Sequence, residues 1–144
     1  MNELVIAIDP GRDKCGVAVV HRTRGVLGRE VTKTSEVVQR VSQLLDMHGL
    51  RKVVLGNSTS SRTLKRQLED YFAATGEQLT IALINEYRST DEARARYWRE
   101  NPPRGIRRLI PLSMQVPPVL VDDYAAVILA ERYFAGTPIC GIDK

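Results

Sequence analysis

Hydrophobic residues along the chain fall into short continuous runs and into sets with helical spacing. Short apolar runs bounded by turn-forming residues are typical of buried strands, and they predict strands at residues 4–8, 17–20, 26–31, 52–56 and 79–84. Apolar residues three and four positions apart are typical of helices that bury one face. They predict helices from Thr34 or Ser35 to Gly49, from about Ser61 to Gly76, from Ser89 or Thr90 to about Arg99, and from about Val119 to Phe134, before a short tail.

The order of these elements predicts the fold class. Three consecutive strands would form an antiparallel meander, and strands separated by helices would be parallel. We therefore expect an α/β fold with a five-stranded mixed sheet flanked by helices. A chain of 144 residues fits one domain, so we expect residues 1–144 to form a single domain.

Composition excludes several classes of protein. Hydrophobic residues make up 43% of the chain and charged residues 26%, which is ordinary for a globular protein and excludes disorder. No apolar run approaches the roughly 20 residues of a membrane span, and we expect no targeting segment at the start of the chain. Cys15 and Cys140 are too far apart in sequence to indicate a disulfide framework or a zinc site. We expect a cytoplasmic protein without a membrane partner.

The charge balance is mildly basic. The chain has 21 Lys and Arg residues against 17 Asp and Glu residues, a net charge of +4. This excess permits a nucleic-acid partner without requiring one.

Acidic residues lie where predicted strands and helices begin or end. Asp9 follows the first strand, Glu86 follows the fifth, and Asp122 and Asp123 lie in the first turn of the last helix. Ligands of parallel sheets bind beyond the carboxyl ends of the strands, and clustered carboxylates need a cation. Their oxygens favour Mg²⁺ or Mn²⁺, and two such ions about 4 Å apart promote phosphodiester cleavage. Taken singly, each acid also fits a turn, a solvated strand end or a helix start.

Four segments of the chain together carry a familiar pattern. They are Ile6-Ala-Ile-Asp-Pro-Gly-Arg-Asp-Lys-Cys-Gly-Val-Ala18, Val53-Val-Leu-Gly56, Glu86-Tyr-Arg-Ser-Thr-Asp-Glu-Ala93 and Val121-Asp-Asp-Tyr-Ala-Ala-Val-Ile-Leu129. In this order and spacing they resemble the RuvC-like resolvases and the YqgF (RuvX) family. The resemblance covers nearly the whole chain.

The resemblance implies an RNase H-like fold and a metal-dependent endonuclease. Asp9, Glu86 and Asp122 would be the catalytic, metal-binding carboxylates, with Mg²⁺ or Mn²⁺ as the cofactor. Asp123 stays a rival to Asp122 as a metal ligand. The family's substrates imply cleavage of structured nucleic acid, either in processing of pre-16S rRNA or in resolution of Holliday junctions.

The chain departs from the family pattern beside two of these motifs. Asn85 stands where the family usually has Asp, Tyr87 stands where it usually has Arg, and residues 57–59 replace a segment that usually contains proline. Loss of an arginine beside the carboxylates removes a phosphate contact. An alternative function is therefore a nucleic-acid-binding member with weak or no catalysis. A phosphate-binding ATPase of the sugar-kinase type would need two such domains, and the chain supplies one.

Other residues would shape the site and contact nucleic acid. Gly11 and Gly16 would permit a tight hairpin that nucleic acid can approach closely, and Gly56 would end the fourth strand. Basic and hydroxyl side chains after the fourth and fifth strands would bind phosphates without reading the base sequence. The predicted contacts are Arg62, Lys65, Arg66, Arg88, Ser89, Thr90, Arg104, Arg107 and Arg108.

Two alternatives stay open for this surface. Residues 88–99 also fit a solvated helix face, and Ser89 and Thr90 also fit the start of a helix. The substrate would be structured RNA or branched DNA. A homodimer would match a two-fold junction, whereas a monomer would match trimming of a precursor end.

Overall fold

The computed structural model describes residues 4–85, 89–102, 105, 109, 122–136 and 139–143, with the backbone alone at residues 90, 122 and 139–143. The strands are β1 (Leu4–Asp9), β2 (Lys14–His21), β3 (Gly25–Lys33), β4 (Lys52–Gly56), β5 (Thr80–Ile84) and β6 (Ile139–Asp143). The helices are α1 (Val37–His48), α2 (Ser61–Ala74), α3 (Ser89–Glu100) and α4 (Asp122–Phe134). None of the helices in these ranges is long and apolar enough to cross a membrane.

The strands form one sheet in the order β3-β2-β1-β4-β5-β6. β1, β2 and β3 pair antiparallel, and β1, β4 and β5 pair parallel. This arrangement confirms the predicted five-stranded mixed sheet. β6 adds a sixth strand, antiparallel to β5, where the sequence predicts a tail. A short segment such as this becomes a strand through its hydrogen bonds to β5, and a local pattern does not contain that partner.

Each face of the sheet carries its own hydrophobic core. Ile6 and Ile8 of β1 belong to the core cluster that includes the apolar residues of α1 and α2. Val5 and Ala7 point to the other face and pack with Leu129 and its neighbours on α4. Because helices cover both faces, the central strands are continuous apolar runs rather than alternating ones. This is why the sequence reveals these strands so clearly.

The two ends of α1 compare differently with the sequence prediction. Gly49 ends the helix as predicted, in the left-handed conformation with φ 65°. The predicted cap at Thr34 or Ser35 is wrong, because the residue before the helix is Glu36 and no side chain caps the end. The Thr34 hydroxyl instead donates to the carbonyl oxygen of Gly11 at 3.0 Å. The Thr34 hydroxyl therefore bonds a residue distant in the chain instead of capping the start of α1.

An ion pair ties the outer strand β3 to α1. Arg40 Nε donates to both carboxylate oxygens of Glu30 at 2.9 and 3.0 Å, and Arg40 Nη2 lies 2.8 Å from Oε1. These bonds from Arg40 hold the pKa of Glu30 below its ordinary value, although partial burial acts in the opposite direction. The pair is therefore charged at neutral pH and links the meander to the helix beside it.

Candidate functional site

The carboxyl ends of the three parallel strands lie side by side at one edge of the sheet. Ile8 of β1 pairs with Leu55 of β4, and Gly56 of β4 pairs with Ile84 of β5. Continuing the register by one residue places Asp9 beside Gly56. Asp9 is half-buried and lies two residues after Ala7, on the face of the sheet that α4 covers. In the sequence, Glu86 follows Ile84 by two residues.

The turn after Asp9 is a tight hairpin that depends on Gly11. A Cβ atom on Gly11 would lie 2.1 Å from the carbonyl oxygen of Lys14. Asp9 itself pairs with Gly16, which is buried in β2. The Gly11 carbonyl oxygen accepts the Thr34 hydroxyl, which links the turn to the end of β3. The pairing with Gly16 and the hydrogen bond from Thr34 thus both fix the backbone beside Asp9.

Gly11→Ala is expected to lower the free energy of unfolding by about 1–3 kcal/mol, since the added methyl group meets backbone that must shift. Gly28→Ala is the matched control, because a Cβ atom at Gly28 in β3 meets nothing within 4 Å. Its change is expected to stay within about 0.5 kcal/mol. Urea unfolding of both variants measures the difference. Equal losses in the two variants would contradict the close approach at Gly11.

The turn between β4 and α2 lies against the Asp9 turn. The backbone N–H of Asn57 donates to the carbonyl oxygen of Ile84 at 3.1 Å, and the Ser58 hydroxyl donates to that of Pro10 at 3.3 Å. A surface cavity of about 560 Å³ opens here. It is lined by Asn57, Ser58, Thr59, Ser61, Arg62 and Leu83. Asn57 and Ser58, in the segment where the chain departs from the family pattern, therefore contact the end of β5 and the turn after β1.

The predicted basic residues of α2 extend from this cavity along the helix. Arg62 and Arg66 are exposed and lie four residues apart, so they share one face of the helix. Lys65 Nζ lies 3.6 Å from the carboxylate of Glu69 in an exposed i,i+4 pair. Such pairs contribute little stability, so Lys65 stays available to a stronger anion. The three side chains form a basic strip beside the cavity.

The first turn of α4 is anchored to β3 by Asp123. Arg29 Nη1 lies 3.4 Å from Asp123 Oδ2, and the backbone N–H of Tyr124 donates to Asp123 Oδ1 at 2.9 Å. The Arg29 guanidinium also stacks over the Tyr124 ring, 4.1 Å from its centroid. The Asp123 side chain is only 15% exposed. Both of its carboxylate oxygens therefore already have partners.

Arg29 also relates this anchor to Asp9. Arg29 pairs with Ala18 of β2, and Ala18 pairs with Ala7 of β1. Residues that pair across a sheet point to the same face, so Arg29 lies on the α4 face of the sheet. Asp9 lies on that face two residues further along β1. The ion pair between Arg29 and Asp123 thus joins the start of α4 to β3, on the same face of the sheet as Asp9.

The other predicted site residues are described to different extents. Ser89 begins α3 and is only 3% exposed, which fits the start of a helix better than direct contact with phosphate. Gly56 is buried at the end of β4. Thr90 and Asp122 are described by backbone alone. The residues that lie outside the described ranges are Glu86, Arg88, Arg104, Arg107 and Arg108. Among the described side chains, no three His, Cys, Asp or Glu residues group closely enough to hold a metal ion.

Sequence reasoning missed three residues that organise this end of the sheet. Arg29 contacts Asp123, Thr34 contacts Gly11, and Arg132 of α4 donates to the carbonyl oxygen of Asn85 at 2.8 Å. Each partner lies far away in the chain. No local spacing contains such a pair, so no signal in a single sequence could have indicated these contacts.

Comparison of the sequence with known protein families identifies one family. A family model described as RuvX, Holliday junction resolvase, matches residues 3–136. No curated protein shows significant similarity to the chain.

Solved structures share the fold at low sequence identity. RuvC of T. thermophilus, in complex with a Holliday junction substrate, is 18% identical with a TM-score of 0.55, over 94% of this chain and 95% of that chain. A second Thermus thermophilus RuvC structure is 18% identical with a TM-score of 0.52, over 93% and 97%. The fowlpox virus Holliday junction resolvase is 15% identical with a TM-score of 0.54, over 92% and 98%. These similarities confirm the predicted RNase H-like fold.

Proposed function

This chain belongs to the RuvX Holliday junction resolvase family, and we propose that it is a divalent-metal-dependent endonuclease that hydrolyses phosphodiester bonds in structured nucleic acid. Family membership by itself supports a nuclease or resolvase role. The observation that carries the proposal is the alignment of the β1, β4 and β5 carboxyl ends, with Asp9 on the face covered by α4. This edge is where parallel sheets bind ligands.

Three carboxylates would hold the metal. Asp9 is half-buried at the end of β1, Glu86 follows β5 by two residues, and Asp122 begins α4. Carboxylate oxygens are the ligands that Mg²⁺ and Mn²⁺ prefer, so this donor set fits either ion. When bound, the metal supplies a Lewis acid for the phosphate and lowers the pKa of a water molecule. The side chains of the protein would orient the scissile phosphate toward that position.

Asp122 is the better ligand of the two adjacent acids. The Arg29–Asp123 ion pair and the Tyr124 N–H bond occupy both oxygens of Asp123. A metal at Asp123 would have to displace Arg29 and would also be repelled by its guanidinium. Successive helix residues point about 100° apart, so one acid can be used for anchoring and its neighbour for the metal.

The substrate strand would run from Asp9 toward α2. Arg62 and Arg66 are exposed on one face of this helix, and Arg62 also lines the surface cavity beside the Asp9 turn. Arginine grips phosphate oxygens through two parallel hydrogen bonds. Contacts of this kind confer affinity and are independent of base sequence. They would support either a four-way DNA junction or structured precursor rRNA.

A second candidate function is binding of structured nucleic acid without efficient cleavage. Asn85 and Tyr87 favour it, because both replace family residues directly beside Glu86. The basic strip on α2 would serve this function equally well.

The test is cleavage of labelled substrates: a four-way DNA junction and a structured precursor-rRNA fragment. Each is incubated with the protein in EDTA, Mg²⁺ or Mn²⁺, and Asp9→Asn is run in parallel to detect contaminating nucleases. We expect cleavage that requires metal and is lost in Asp9→Asn, and the preferred substrate identifies the reaction. Binding without cleavage in any metal would instead support the second function. A protein that neither binds nor cuts would contradict both.

A further inference from the structure

Arg132, in the last turn of α4, connects three elements of the fold through one guanidinium group. Its Nη1 donates to the carbonyl oxygen of Asn85, just after β5, at 2.8 Å. Its Nη2 donates to Glu92 Oε1 on α3, also at 2.8 Å. The side chain of Arg132 is 17% exposed, whereas that of Glu92 is 51% exposed. The rigid, planar guanidinium fixes the two acceptors relative to each other.

The acceptor on β5 is the carbonyl of the residue directly before Glu86. A peptide unit is planar, so the carbonyl group of Asn85 and the peptide nitrogen that follows it move as one body. Holding that oxygen therefore restricts the direction in which the chain leaves β5. The second acceptor, Glu92, lies in the first turn of α3, where the chain continues after Glu86. Arg132 thus contacts the chain on both sides of residue 86.

Arg96 offers a comparison within the same pair of helices. From α3, Arg96 Nη1 donates to Glu131 on α4 at 2.7 Å, and Arg96 Nε donates to Glu100 at 3.1 Å. Arg96 and Arg132 therefore both link α3 to α4 by ion pairs of similar length. Arg132 also donates to the Asn85 carbonyl, whereas the second bond of Arg96 goes to Glu100 within α3. A role in joining the two helices would be common to both arginines.

We propose that Arg132 is a positioning residue, which orients the segment carrying Glu86 for metal binding by holding the Asn85 carbonyl and Glu92 together. This inference rests on the proposed function, in which Glu86 is a metal ligand. Groups that orient metal ligands are worth about 10- to 100-fold in metal affinity or activity. Arg132 would act on Glu86 through the backbone before it and through α3.

The experiment compares Arg132→Gln with Arg96→Gln in the full chain. For each variant, the Mn²⁺ concentration that gives half-maximal cleavage of the preferred substrate is measured beside the thermal unfolding midpoint. Arg132→Gln is expected to raise that concentration about tenfold or more. Both variants are expected to lower the thermal unfolding midpoint by similar amounts. Arg96→Gln is expected to change the Mn²⁺ requirement by less than about twofold. Arg132→Lys is a second variant in case Arg132→Gln does not fold, since an ammonium group lacks the fork that reaches both acceptors.

The outcomes separate this inference from the proposed function. Equal Mn²⁺ requirements in the Arg132 and Arg96 variants would overturn the positioning role, even if cleavage is metal-dependent. If the wild-type protein cuts nothing, direct binding of Mn²⁺ is measured by calorimetry without nucleic acid. Weaker binding by Arg132→Gln than by Arg96→Gln would then support the positioning role while the proposed function fails. Absence of Mn²⁺ binding to the wild-type protein would overturn both.

Discussion

Asp9→Asn is expected to slow metal-dependent cleavage by about 10³-fold or more, while the protein stays folded and still binds its substrate. A bound metal contributes several kcal/mol to stabilising charge in the transition state, and losing about 4 kcal/mol of this corresponds to 10³-fold in rate. Asn has nearly the size of Asp, so the half-buried position at the end of β1 should tolerate it. The carboxylate charge that attracts the metal would be gone.

Asp13→Asn is the matched control for this prediction. Asp13 lies in the same β1–β2 turn, and its side chain is exposed. The substitution removes the same charge from the same hairpin, and the cleavage rate should stay within about threefold, because exposed charges interact weakly through water. Substrate binding in EDTA should be unchanged or slightly tighter in Asp9→Asn, since one negative charge near the phosphates is removed. Undiminished cleavage by Asp9→Asn would exclude Asp9 as a metal ligand.

Substitutions of the two adjacent acids at the start of α4 are expected to affect different properties: cleavage for Asp122 and stability for Asp123. Asp122→Asn should slow cleavage by about 10²-fold, which corresponds to roughly 3 kcal/mol of lost transition-state stabilisation. Asp123→Asn should mainly weaken the anchor to Arg29, because Asp123 contacts Arg29 and the Tyr124 N–H. An ion pair of this length and partial exposure contributes up to about 1 kcal/mol. Cleavage rates and urea unfolding of both variants measure the two effects.

A double-mutant cycle with Arg29→Gln tests the structural half of this prediction. If the pair accounts for the role of Asp123, the losses of stability in Arg29→Gln and Asp123→Asn should not add in the double variant. A larger loss of cleavage in Asp123→Asn than in Asp122→Asn would reverse the assignment. It would mean that Asp123 leaves Arg29 when metal binds.

Local patterns in the sequence are sufficient to predict most of the fold. β1, β2, β4 and β5 are apolar runs buried on both faces of the sheet, so burial alone makes them recognisable. The position of Asp9 at a strand end follows from the turn residues Pro10 and Gly11 after it. The family motifs are likewise contiguous segments, so the sequence alone indicates the RuvX family and its fold.

The tertiary structure decided what depends on partners far apart in the chain. β6 is a strand because β5 offers an unpaired edge, and Thr34 contacts Gly11 instead of capping α1. Asp123 and Arg132 likewise owe their roles to Arg29 and to the Asn85 carbonyl. The physical reason is the range of each interaction. Helical and strand periodicity reflects neighbours within a few residues and can be read along a chain, whereas a hydrogen bond between distant segments exists only after the sheet and helices have brought its two groups together.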